Sequence, residues 1–78
     1  MNDRRKEKFN KLCEKLHNIK DELDEMQTKM QEEYDDMSEK IQDSEKGELL
    51  RSEIDDMEEY KNSIQQAIDG MEAAYDEL

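Results

Sequence analysis

Seventy-eight residues, 46% of them charged and 32% hydrophobic with a net charge of −12, leave room for one domain with a thin core. A single cysteine, Cys13, excludes an intrachain disulfide. No run approaches the roughly 20 apolar residues of a membrane span, so the chain is expected to be soluble, cytoplasmic and without membrane contact.

The absence of proline, the presence of only two glycines and the abundance of Glu, Lys, Met, Leu and Gln point to long helices. Charge is uneven along them. Residues 1 to 20 hold seven Lys/Arg against three acids, a net of +4, and the remainder holds five against twenty-one, a net of −16. Such a surface repels nucleic-acid backbones over most of its length and favours a protein partner with a basic surface.

The first element is predicted as a helix over about 4–41. Its apolar residues fall at Phe9, Leu12, Leu16, Ile19, Leu23, Met26 and Met30, alternating steps of three and four that make an a/d seam, and continue through Tyr34, Met37 and Ile41. The step from Met30 to Tyr34 is four where three is due, which reads as a stutter. Three methionines, Met26, Met30 and Met37, belong to this seam and read as core filling rather than as a promiscuous binding surface.

A polar segment over 42–47 separates the two helices, with the turn at 42–44. Ser44 is placed to cap the second helix, and Glu45 and Glu48 suit the positive end of its dipole. This second helix, about 45–77, carries Leu50, Ile54, Met57, Lys61, Ile64, Ile68, Met71, Tyr75 and Leu78 at the same alternating steps, and only Lys61 is polar.

Facing residue numbers in an antiparallel pair sum to a constant. Phe9 with Leu78, Leu12 with Tyr75, Leu16 with Met71, Ile19 with Ile68, Leu23 with Ile64, Met26 with Lys61, Met30 with Met57 and Met37 with Leu50 all sum to 87, while Tyr34 with Ile54 gives 88. The predicted fold is therefore all-α, a single antiparallel two-helix coiled-coil hairpin over 1–78. In this register the basic first turns lie beside Asp69, Glu72, Asp76 and Glu77, so each helix end relieves the other. Tyr60, Ala67 and Ala74, spaced by seven beside the seam, widen the apolar stripe of the second helix and predict self-association as a homodimeric four-helix bundle.

Candidate chemistry is sparse. Glu14 and His17 match the Glu-x-x-His spacing of di-iron bundles, but with Leu16 and Ile19 in the seam they fall at outward positions, and both are expected to be dispensable. Cys13 and His17 are one helical turn apart, and two ligands do not complete a zinc site. The cluster Asp55, Asp56, Glu58 and Glu59 lacks the glycine and alternation of an EF-hand loop. With one histidine and no phosphate-binding loop, the expectation is no enzyme, no catalytic residue, no metal and no cofactor. Lys61 opposite Met26 reads either as a polar break that fixes register or as a snorkelling lysine that reaches Glu22 or Glu25.

The stretch from Glu32 to Gly47, with Tyr34 three residues before Met37, a polar segment, then Ser44-Glu45-Lys46-Gly47 ahead of a helix, resembles a group of small acidic uncharacterised proteins of phages, prophages and their bacterial hosts. Those proteins carry proline where Ser38 stands here, which implies a first helix ending near Met37 instead of 41. The resemblance brings no activity with it. Composition and pattern together predict a protein-interaction module presenting an acidic helical surface. The alternatives are a coiled-coil scaffold or helical-hairpin chaperone, and an acidic mimic of nucleic acid that blocks a DNA-binding protein.

Overall fold

A computed structural model of the chain describes residues 3–77. Three helices follow in order: α1 (Asp3–Asp35), α2 (Glu39–Gln42) and α3 (Glu45–Tyr75), with no strand among the described residues. The described chain is a rod of 60 × 15 × 12 Å.

The first helix stops at Asp35, short of the predicted 41. Its last turn holds acids and no basic residue, unfavourable at the negative end of the dipole. Ser38 then adopts an extended conformation, and its hydroxyl accepts from the Ile41 amide at 3.3 Å to cap α2. The carbonyl of Tyr34, at the end of α1, accepts from the Met37 backbone N–H at 3.1 Å and from the Gln42 side-chain amide at 2.9 Å. The Ser38 cap starts a separate short helix after the end of α1 at Asp35.

At the second corner Ser44 caps α3 through the Gly47 amide at 3.4 Å and donates its own hydroxyl proton to the Ile41 carbonyl. Gly47 is buried against that corner. A Cβ on it would lie 2.3 Å from the Gln42 carbonyl oxygen and 2.4 Å from that of Ile41, so only glycine lets α3 start this close to α2.

The long helices lie side by side with opposite chain directions. The ammonium of Lys6 sits 5.2 Å from the centre of the Tyr75 ring at one end, and Gln27 reaches the Ile54 carbonyl at 3.1 Å towards the other. Along α3 the inward residues are Leu50, Ile54, Met57, Lys61, Ile64, Ile68, Met71 and Tyr75, the row expected from sequence, with Ile68 fully buried. Leu78 lies outside the described residues.

Along α1 the row differs. The least exposed residues are Lys6, Phe9, Cys13, Leu16, Lys20, Leu23, Gln27, Met30, Tyr34 and, just beyond the helix, Met37. Phe9, Leu16, Leu23 and Met30 keep their places, but Leu12, Ile19 and Met26 are 43%, 44% and 52% exposed and do not belong to the seam. Cys13, Lys20 and Gln27 replace them. The physical reason is polar pairing across the interface, since Lys20 donates to Gln65 and Gln27 donates to both Ile54 and Glu58. The corrected row alternates three and four without interruption through Tyr34, so the stutter disappears.

Candidate functional site

The rotation of α1 gives the helical pair two unlike flanks. On one flank, polar side chains bridge α1 and α3. His17 Nε2 lies 3.1 Å from a Glu72 carboxylate oxygen, Lys20 donates to Gln65, and Gln27 donates to Glu58 at 3.2 Å. Lys61, its side chain 13% exposed, lies 2.7 Å from Asp24 and 3.0 Å from Glu58. Its partners are therefore not Glu22 or Glu25: the rotation of α1 brings Asp24 to this flank instead. The hydrogen bonds from Lys61 lower the carboxyl pKa of Asp24 and of Glu58, the latter helped by Gln27, and the same bonds raise the Lys61 ammonium above its ordinary value.

The opposite flank is apolar. Leu12, Ile19 and Met26 emerge there from α1, and Tyr60, Ala67 and Ala74 from α3. Tyr60 is 52% exposed, Ala67 is exposed and Ala74 half-buried. Leu12 with Ala74, Ile19 with Ala67 and Met26 with Tyr60 each sum to 86, which sets them side by side as three rungs in an antiparallel pair. Gly70 lies on the open surface of α3, for a Cβ there would meet nothing within 4 Å. The self-association residues expected on α3 are thus joined by a row of α1 that sequence reasoning had placed inside. The signal for it was the step of four after Met30, which extended backward passes through Gln27, Lys20 and Cys13 rather than through the apolar row.

No family model, no curated protein and no solved structure matches this chain. Its chemistry must be read from its own residues.

A second feature lies on the polar flank. The sulfur of Cys13, a ring nitrogen of His17 and a carboxylate oxygen of Glu72 all lie within 4.8 Å of one another. Cys13 is buried and the other two are exposed. Burial raises the Cys13 thiol pKa first, and the carboxylates of Glu72 and then Glu14 raise it further. His17 does not simply face solvent, as its heptad position suggested, because the rotation of α1 turns it towards α3. Glu14 takes no part in this cluster. A shallow pocket lined by Phe9, Asn10, Cys13, Met71, Glu72 and Tyr75 opens beside the thiol. Among the described residues no helix is long and apolar enough to cross a membrane.

Proposed function

We propose that this chain is a non-enzymatic interaction module, an antiparallel coiled-coil hairpin that pairs with a second copy of itself to form a four-helix bundle and presents the remaining acidic helical surface to a partner with a basic surface. The observation that carries the reading is the one-sidedness of the exposed apolar rows. Two helices that merely shielded one another would scatter their surplus apolar residues, whereas here both rows open on the same side, over three consecutive rungs.

A second copy is favoured because the surface complements itself. A two-fold axis through the central rung, Ile19 with Ala67, sets the rung of Met26 and Tyr60 in one copy over the rung of Leu12 and Ala74 in the other. The same rotation lays the basic N-terminal part of α1 towards the acidic end of the other copy near Glu33, which offsets part of the repulsion between two chains of −12 each.

Sedimentation and thermal melting test the reading. The expected result is a dimer whose melting temperature rises with concentration, because association is linked to folding. Added salt strengthens it by screening the like charges. Replacing Ala67 and Ala74 together by Glu yields monomers or unfolded chains. A wild-type chain that stays a folded monomer at high concentration and high salt overturns the dimer and leaves the apolar flank to a different protein.

A further inference from the structure

The geometry points to a metal site at Cys13, His17 and Glu72 that takes a divalent ion of the zinc type and ties α1 to α3 on the flank opposite the apolar face. Three donors of different chemistry converge there, a thiol, an imidazole and a carboxylate, all within 4.8 Å of one another. Tetrahedral zinc holds sulfur at about 2.3 Å and nitrogen or oxygen at about 2.0 to 2.2 Å, so its ligand atoms stand roughly 3 to 4 Å apart. The 3.1 Å between His17 Nε2 and the Glu72 oxygen already meets that spacing, and the Cys13 sulfur lies within 4.8 Å of a donor atom of each.

The mixed donor set decides the class of ion. Thiolate with imidazole selects zinc over magnesium or calcium, which take oxygen ligands. Two anionic donors and a neutral imidazole make the site formally neutral around a divalent ion. This offsets the local repulsion between thiolate and carboxylate. The helix supplies the geometry of the first pair, since Cys13 and His17 are neighbours one turn apart on one face, and the antiparallel register supplies Glu72. Because His17 and Glu72 are exposed, an ion enters from solvent without opening the seam, and a fourth position stays free for water.

Binding replaces two protons, one on the Cys13 thiol and one on the ring nitrogen that donates to Glu72 when the imidazole is its Nε2–H tautomer. The first is released to solvent, and the second moves to Nδ1 when Nε2 is the ligating atom. No electron transfer is involved.

Cobalt(II) titration of the reduced full chain, with zinc as competitor, tests the site. The expected result is one cobalt per chain, a thiolate-to-cobalt charge-transfer band in the near ultraviolet, intense visible bands of a four-coordinate ion, and displacement of all three signals by zinc. Cys13→Ser abolishes the charge-transfer band, and His17→Gln and Glu72→Gln each weaken binding by at least about tenfold, as loss of a ligand should cost no less than loss of a supporting group. Glu14→Gln keeps one cobalt per chain and the charge-transfer band, since Glu14 supplies no ligand. Zinc raises the melting temperature of the wild type and not of His17→Gln, because an ion bound across α1 and α3 stabilises their pairing. Circular dichroism of each variant without metal establishes that all are folded. Cobalt taken up without a thiolate band, or a band unaffected by both His17→Gln and Glu72→Gln, overturns the site and assigns the uptake to the acidic surface or to the thiol alone.

Discussion

The two flanks of the helical pair solve the same problem in opposite ways. On the polar flank, Lys20, Gln27 and Lys61 lay their stems along the seam and spend their heads on Gln65, Glu58, Asp24 and a backbone carbonyl. On the apolar flank, Leu12, Ile19 and Met26 stand beside Tyr60, Ala67 and Ala74 with much of their surface in water. A helix facing a single neighbour buries one stripe, and α1 has two candidates on either side of Phe9, Leu16, Leu23 and Met30. The difference between them is that the buried one has partners for its polar groups and no buried side-chain nitrogen or oxygen is left unpaired among the described residues. Hydrophobicity alone would have chosen the other.

Paired truncations break this comparison most sharply. Ile68 is fully buried at the seam while Ile19 is 44% exposed on the outer flank. Ile68→Ala is expected to cost about 2 to 5 kcal/mol, the range for a large aliphatic side chain removed from a packed core. Ile19→Ala in the dilute chain costs under about 1 kcal/mol, since much of its surface is already hydrated. Denaturant titration at low and high concentration separates them. The Ile68 penalty is independent of concentration, whereas the Ile19 penalty grows as copies associate. Equal penalties at both concentrations would mean that nothing covers the outer row.

The two glycines sharpen the contrast at a smaller scale. At Gly47 an added methyl meets the Ile41 and Gln42 carbonyl oxygens, which are backbone and cannot swing away. Gly47→Ala should therefore cost about 1 to 3 kcal/mol through displacement of the corner. Gly70→Ala meets open space and is expected to stabilise the isolated pair by up to about 1 kcal/mol, the helix-propensity difference. Thermal melting in dilute solution reads both signs. A tolerated Gly47→Ala would show that α2 and α3 are not held in this close approach.

Most of α3 was legible in the sequence because its apolar residues fill every seam position except Lys61 and outweigh the flanking row of Tyr60, Ala67 and Ala74. The start of α3 was legible too, through Ser44 and the acids behind it. The face of α1 was not. Periodicity counts apolar residues, and Leu12, Ile19 and Met26 outscore Cys13, Lys20 and Gln27 on that count although Lys20 and Gln27 find hydrogen-bond partners across the seam. The end of α1 lay between two readings, and the Ser38 cap favours the shorter. The meeting of Glu72 with Cys13 and His17 required both the register and the correct flank, and the register alone left His17 pointing to water.

The smallest expected effect concerns the charged centre of the polar flank, and its sign follows from the groups that meet there. Asp24 and Glu58 have carboxyl pKa values lowered by Lys61, so their pairing stabilises the fold at neutral pH and the contribution fades as pH falls through those lowered values. Lys61 is raised, so its contribution is complete below the ordinary lysine value and is lost as pH rises through the raised one. The pairing therefore operates across the whole neutral range and fails at both extremes. Because Asp24 and Glu58 are exposed, solvent screens the pair and the gain is modest. Lys61→Met removes all of it while filling a seam position that is otherwise apolar on α3, a kind of exchange that is often neutral or stabilising near neutrality. The difference in melting temperature between wild type and Lys61→Met should thus be flat through neutral pH and shift towards the variant at both the acidic and the alkaline end. If the difference did not change at either end, Lys61 would be held by burial of its stem alone, and the polar flank would owe its register to Lys20 and Gln27.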